Sequence, residues 1–585
     1  MIAESAQPAA PAQLVDATPA APAQEPKPSP PAKAPRKSQA PKRAPSSGQQ
    51  ALPGAVGALP RPAEFQSAAD RFIPENTHQV LGSGTLADYL AASGEALALE
   101  VFKEVRSLDF TTVLPENQTR GRKRFHPRVL LGLVFYGCLR RQTSLRELER
   151  LARIDLGAWH ICGGLQPDHS TIGDFLNDNA EAVIDEFFVS VTRQLVRSHH
   201  IGPGRVAIDG TIVEAAASGY RTIKAEAARE RAKLAHAAAA AAPEDPKVQK
   251  RAEAAQDVAT IASFRETDRQ EKKGTGDKLQ VATSEPDAVI QPRKEGGIAP
   301  GYKPSVLAHE SGFIMGQATD PSSEQVVIDH LLRQAEEIAG APPAQALLDA
   351  GYCDEATLQK FVDRGIDVLC PAGRESSPDM QKQSDKKLLK SSFQYLPEQD
   401  VYRCPQGVLL SYKSYETDAD GRKVRHFQVL DQTVCASCPL RSRCSEAKDG
   451  RTIKRYPGDE LKEAMQSILR HPQAKLDYSR RKAIVEPVHS RMKERQGLRR
   501  FKRRGLRAVS LEYAFHCIAH NIGLSARLRL KAAAAARPAG PGAPRRVVRA
   551  RFRLSWRPRR QVTERWMRGL SLPRARFVGT ILPCS

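Results

Sequence analysis

Residues 478–507 read YSRRKAIVEPVHSRMKERQGLRRFKRRGLR, twelve lysines and arginines against only two acids, Glu486 and Glu494. Ile484, Val488 and Met492 recur every four residues, the stripe of a helix packed on a core, while Glu486, His489 and Lys493 fall on a different face about one turn apart. Pro487 fits a first helical position or a kink and biases the residue before it away from the α region, which predicts Glu486 at a helix start or kink. Taken alone, the segment also reads as a solvated basic helix with one incidental glutamate. The stretches upstream weigh against that reading.

The chain has 585 residues and a mass of 64.1 kDa, room for about three to four domains with cores of their own. Its formal charge of +23, from 89 Lys and Arg against 66 Asp and Glu, points to a polyanionic partner, most simply a phosphate backbone. No apolar run approaches the roughly 18 residues of a membrane helix, and no cationic start is followed by an apolar block, which predicts a cytoplasmic, nucleoid-associated protein with no membrane partner. Ten cysteines are too sparse for a disulfide scaffold.

Residues 1–75 are rich in Pro and Ala and poor in large apolar side chains, so they are expected to be disordered. From 86 to 201 the patterns are helical: an apolar helix at Arg128–Leu139, a capping box at Ser144 and Glu147, a helix capped by Ser170, and an amphipathic run at Ala180–Ser198. Short helices joined by tight turns suit a DNA-binding domain, though most helical bundles bind no DNA. At Arg205 the period changes to strand, Val206–Ile208, and residues 203–530 read as mixed α/β. Within them come a helical insertion at 223–275, a hairpin turning near Ser311–Gly312, a helix at Ser323–Ile338, and strands at Ala346–Leu348 and Ile366–Cys370. Residues 531–585 form an Arg-rich tail, expected to be disordered; from Arg537 on it holds 13 Arg, no Lys and one acid. A nucleic-acid tail and a shifted reading frame both fit that composition.

Two aspartates share one context, a short apolar strand before and a glycine turn after: AID-GT at Asp209 and LLD-AGY at Asp349. A strand-end Asp projects into the crevice where α/β sheets hold ligands, although singly such residues more often cap turns. With Glu486 they make three carboxylates from separate elements, the donor set for two divalent cations in phosphoryl transfer. Mg²⁺ or Mn²⁺ suits such hard oxygen ligands, and Lys493 would bind a substrate phosphate. Cys404, Cys435, Cys438 and Cys444 form C-x30-C-x2-C-x5-C in a module spanning 400–446, a spacing that suits structural Zn²⁺ or, alternatively, four reduced thiols in a small core. The remaining cysteines have no metal spacing. His169, His489, His516 and His520 read as hydrogen-bonded core more readily than as catalysts.

The strand-Asp209-Gly-Thr, the strand-Asp349-Ala-Gly-Tyr and Tyr478-x2-Arg481-x4-Glu486-x6-Lys493 followed by GLRRFKRRGL together resemble the DDE transposases of bacterial insertion sequences. PDHSTIGDF (167–175), GGIAPGYKPSVLAHE (296–310) and AFHCIAHNIGL (514–524) resemble recurrent stretches of the same family, and the cysteine cluster resembles one found in a branch of it. The resemblance implies an RNase H-like catalytic domain behind a helical DNA-binding domain, with Asp209, Asp349 and Glu486 as catalytic metal ligands. It implies cleavage at terminal inverted repeats, transfer of 3′ ends to target DNA, and a homodimer or larger assembly on double-stranded DNA. Tyr478, Arg481, Lys482, Lys493, Arg499, Arg500, Lys502 and Arg503 are expected on the DNA. The family leaves three residues between Arg and Glu; here Arg481 leaves four and Lys482 takes the expected place, so either cation can play the Arg role. A decayed, binding-only copy and a cellular nuclease of similar fold are the alternatives.

Overall fold

The computed structural model describes residues 69–114, 122–273, 279–293, 296–371, 387–418, 421–447 and 449–536; most of the N-terminal Pro/Ala-rich segment, the Arg-rich stretch from Arg537 and Cys584 lie outside them. Helices fill the first part: α1 (Leu86–Ala92), α2 (Ala96–Ser107), α3 (Pro127–Leu139), α4 (Leu145–Ile154), α5 (Leu156–Ile161), α6 (His169–Asp178) and α7 (Phe188–Ser198). Eleven of the thirteen residues of α3 are buried, as a helix apolar on all sides requires, and Pro127 stands at its first turn, where a missing N–H costs nothing. The capping box forms at α4, with Ser144 Oγ accepting from Glu147 N. At α6 the cap is Asp168, not Ser170: the Asp168 carboxylate accepts from Thr171 N at 2.7 Å, and Ser170 donates to it. An aspartate in the extended conformation two residues earlier outcompetes the serine as acceptor.

The main sheet runs in the order β9–β8–β1–β6–β2, from β1 (Arg205–Gly210), β2 (Val213–Glu214), β6 (Ile298–His309), β8 (Gln345–Leu347) and β9 (Asp367–Leu369), with β5 (Val289–Pro292) and β7 (Ile314–Asp320) also pairing β6. β8 and β9 run parallel to β1 and each other, while β6 is antiparallel to β1 and β7. The hairpin turns at residues 310–313 as expected. The helix expected at Ser323 instead starts at Ile328 (α10, Ile328–Ala339), because the Asp320 carboxylate accepts from Ser322 N and Ser323 N and holds that segment as a turn. Between β1 and β6 the expected insertion is a helical hairpin, α8 (Ala225–Ala241) and α9 (Pro246–Lys273), with an alanine-rich core of its own and a two-stranded base, β3 (Thr222–Lys224) with β4 (Gln280–Ala282).

After β9, α11 having preceded it (Glu355–Val362), comes a five-stranded antiparallel sheet, β10 (Gln394–Leu396), β11 (Val401–Arg403), β12 (Leu409–Thr417), β13 (Lys423–Val429) and β14 (Ile453–Arg455), packed on Phe393, Tyr402, Leu410, Phe427 and Ile453. Helices α12 (Asp459–Arg470), α13 (Pro472–Ser479) and α14 (Arg481–Ser490), a π-helical turn at Arg491–Arg495, and α15 (Leu506–Ala536) complete the described chain. The N-terminal helices, main sheet and α15 share one core, continuous from Ala98 to Ala526. The polar residues of AFHCIAHNIGL knit it: Asn521 pairs both ways with the Ile314 backbone, at 2.9 Å each, and donates to Thr192, while His520 meets the Gly312 carbonyl. Among the described residues no helix is long and apolar enough to cross a membrane.

Candidate active site

Parallel pairing between β1 and β8 sets Gln345 opposite Arg205 and Leu347 opposite Ala207. Carried two residues further, that register brings Asp349 level with Asp209 at the carboxyl ends of adjacent parallel strands, where open α/β sheets hold ligands. Asp209 ends β1 half-buried. Asp349 caps a 3-10 turn at Ala350–Tyr352, its carboxylate accepting from Ala350 N at 2.8 Å, and stands exposed.

Helix α14 lies across β1 and β6, its Ile484, Val485 and Val488 buried against them together with Met492 of the turn that follows. Pro487 sits inside this helix, so Glu486 is a mid-helical residue and not the helix start or kink its neighbour proline suggested. The helix absorbs the proline because tertiary packing of Ile484 and Val488 outweighs one lost backbone bond, and the widened π turn follows directly. Glu486 is exposed, one turn before His489 on the same helix.

Arg481, at the first turn of α14, is buried to 8% exposure, and its guanidinium donates to Asp209 Oδ1 at 2.8 Å and lies 3.8 Å from Asp349 Oδ2. Lys482 points to solvent. Of the two candidate cations, Arg481 is therefore the one held at the carboxylates. His489, read from the sequence as a hydrogen-bonded core residue, instead approaches Asp209 Oδ2 at 3.4 Å, its two ring nitrogens buried and in no hydrogen bond. Burial pushes the Tyr478 phenol up to about 12, opposed by Arg481 and reinforced by the Asp349 and Asp209 carboxylates, so it faces this cluster protonated. Lys493 Nζ reaches the Ile212 carbonyl at 3.4 Å, just past the β1 end.

A fourth carboxylate, Glu324, comes from the turn before α10. It accepts from Tyr352 Oη at 2.8 Å, tying the Asp349 turn to the end of β1, and a Cβ at Gly210 would run into it. The glycine after Asp209 thus leaves room for the Glu324 side chain, which would have to swing aside for any larger residue. Glu324 lies in a turn without periodicity, so no sequence pattern marked it; His489 was marked by standing one turn after Glu486.

Of the other expected DNA-binding cations, Arg500 donates to the Ala215 and Ala217 carbonyls at 3.0 Å each, and Arg499 pairs with Glu494. The backbone N–H groups of Lys502 and Arg503 bind the buried Glu512 carboxylate. Residues 499–501 dock beside β2, with Glu214 N donating to Arg499 O and Phe501 N to Glu214 O. Much of the basic stretch therefore fastens the sheet edge.

Among the described residues no group of three or more His, Cys, Asp or Glu side chains is gathered closely enough to hold a metal ion. At the carboxylates the guanidinium of Arg481 stands between Asp209 and Asp349, so a cation already neutralises them. The all-oxygen donors, two of them level at neighbouring strand ends, nevertheless match a hard divalent ion in kind. The zinc expectation for the cysteines is not met as a coordination sphere. Cys404, Cys435 and Cys444 pack as free, partly buried thiols against the aromatic core of the small sheet, and burial raises Cys435 and Cys444 above the ordinary thiol range. All four thiols lie near one another, Cys404 and Cys438 acting on both Cys435 and Cys444.

Compared with known proteins, residues 403–524 match a family described as "Transposase DDE domain" and residues 96–178 one described as "Transposase domain (DUF772)". The first runs from the end of β11 through the last three strands of the small sheet, α14 with Glu486, and most of the buried part of α15; the second spans α2 to α6. Asp209 and Asp349 lie between the two. Among curated proteins none matches the chain.

Proposed function

We propose that the chain is a DDE transposase of an insertion sequence, as the two transposase domains it matches support, and that it binds the terminal inverted repeats of its own element, hydrolyses phosphodiester bonds at the element ends and joins the 3′ ends to target DNA. The observation that carries this reading is the level placement of Asp209 and Asp349 at the ends of adjacent parallel strands, with Arg481 of α14, the helix that also carries Glu486, held at both carboxylates. The mixed sheet flanked by helices is the support for an RNase H-like domain, and the helices at 86–198 are the proposed DNA-binding domain.

Asp209, Asp349 and Glu486 would hold divalent metal ions, which when bound supply activation of the attacking water or 3′-hydroxyl and neutralise the leaving 3′-oxygen. The chain's own residues do the rest. Arg481 keeps the two aspartates aligned until DNA and cations arrive. Lys493, beside the β1 end, meets a backbone phosphate as a point charge. His489 orients Asp209 from the helix side. Tyr478, protonated, donates a hydrogen bond toward the substrate strand. Synapsis of two ends calls for a dimer or larger assembly.

The test is cleavage of a labelled duplex carrying the element's ends with Mg²⁺ or Mn²⁺, comparing wild type with Glu486→Gln. Nicking at the boundary that vanishes in the variant while DNA binding persists is the expected result. Binding with no nicking by either protein would overturn the catalytic reading.

A further inference from the structure

The small sheet carries a feature the cleavage chemistry does not use. Between β12, β13 and the start of α12 opens a cleft of about 410 Å³, lined by Tyr412, Tyr415, Lys423, Arg425, Asp400 and Tyr456 among others. Its volume lies in the range of small-molecule sites. Three of its walls are tyrosine rings left in solvent: Tyr412 is 47% exposed, Tyr415 58% and Tyr456 38%.

The backbone arranges this. In the β12–β13 pair Tyr412 faces Phe427 and Tyr415 faces Arg425, with the register shifting between Tyr412 and Ser414. Residues three apart on a regular strand point to opposite faces. The bulge at Lys413 adds one residue to β12, so both tyrosines emerge on the same side. On β13, Lys423 and Arg425 share that face by the two-residue period, and Arg425 is flanked on its other side by Arg455 of β14. The Lys423 ammonium lies 5.5 Å from the Tyr415 ring centre. Arg425 Nη1 donates to both oxygens of Asp400, at 3.0 and 2.9 Å. Arg425 pairs with Asp400 and the buried Arg455 with Glu460 and Glu463, while Lys423 brings its ammonium to the exposed Tyr415 ring.

Exposed rings beside cations, with a fixed donor–acceptor pair at the floor, make a surface that every nucleobase can stack on and that tolerates the following phosphate. A duplex presents no base faces to such a cleft. The cleft is also attached to the catalytic crevice: Gly458, in its wall, abuts the Glu355 side chain at the first turn of α11, six residues after Asp349. We propose that this cleft is a stacking platform for unpaired bases of a DNA strand, so that the small sheet holds single-stranded DNA next to the cutting site. The choice of DNA rests on the transposase reading; the stacking surface does not.

The test measures fluorescence anisotropy of the full chain with a fluorescein-labelled thymidine oligonucleotide of about 15 nucleotides, and with a blunt duplex of the same length. Tyr412→Ala with Tyr415→Ala is expected to weaken binding of the single strand by about 10- to 100-fold and duplex binding by less than about twofold. Replacing both tyrosines by Phe, which keeps the stacking face, should restore the affinity. Should the double alanine variant fold poorly, Tyr415→Ala alone, at the most exposed ring, is expected to lose at least about fivefold. Equal single-strand affinity of wild type and Tyr415→Ala, or equal loss on both probes, would overturn the proposal. A chain that nicks element ends yet keeps its affinity for the thymidine strand after Tyr415→Ala loses this proposal alone. One that binds the strand through these tyrosines but never nicks loses only the cleavage reading.

Discussion

Replacing Arg481 by Met tests whether one guanidinium substitutes for a metal at the carboxylates. Met keeps the buried aliphatic stem and removes the charge, so the change isolates electrostatics from packing. The 2.8 Å contact to Asp209 is charge-assisted, a class contributing about 1.5–3 kcal/mol. Asp209 is 26% exposed and Asp349 57%, so the second contact, at 3.8 Å, adds at most about 0.5 kcal/mol after screening. Without divalent ions the variant should therefore lose about 2 kcal/mol, a fall of roughly 4 °C in the unfolding midpoint at about 2 °C per kcal/mol for a large domain. Adding Mn²⁺ reverses the order. A unit charge removed from beside the ligands favours a second cation by about 1–2 kcal/mol at the effective dielectric of a partly exposed site, or about tenfold in affinity. The free Mn²⁺ signal in electron paramagnetic resonance reads that affinity on DNA-free protein. Lys482→Ala, in the neighbouring exposed position, serves as the control and should change neither quantity. An Arg481→Met protein that melts like wild type without metal, or binds Mn²⁺ no more tightly, would refute the account.

Further outcomes follow from the same geometry. Glu512 is 4% exposed and accepts from the Lys502 and Arg503 amides; burial raises its pKa from 4.5 to about 7. Between those values the folded chain binds a proton that the unfolded chain has released, so this carboxyl's stabilisation is complete below about pH 4.5 and is lost as pH rises through about 7, some 3 kcal/mol in all. The difference in melting between wild type and Glu512→Gln should slope downward across that window, and a flat difference would count against a protonated Glu512. His489→Phe preserves the shape of the ring beside Asp209 but removes its nitrogens. It should slow nicking at least about tenfold while leaving DNA binding unchanged; a rate equal to wild type would make His489 merely packing.

Much of this molecule could be read before it was folded. The strands around Asp209 and Asp349, the helical insertion, the Ser144 cap and the buried stripe of α14 follow from local period and turn chemistry, which depend on neighbours a few residues away. The family motifs could be read for the same reason: each is a short run whose residue types and spacing survive without knowledge of distant contacts. Where reading stopped, the deciding partner was far along the chain. Pro487 suggested a kink, but packing of Ile484 and Val488 on β1 and β6 kept α14 helical. Arg481 and Lys482 were equivalent until the approach of β1 buried one of them against Asp209. Glu324 gained a role only because Gly210 leaves it space and Tyr352 reaches it, contacts that no spacing encodes. The basic stretch looked like one DNA surface from its charge, and the fold divided it: charge is a property of composition, whereas which lysine or arginine faces solvent depends on the carbonyls and carboxylates that long-range packing brings beside it.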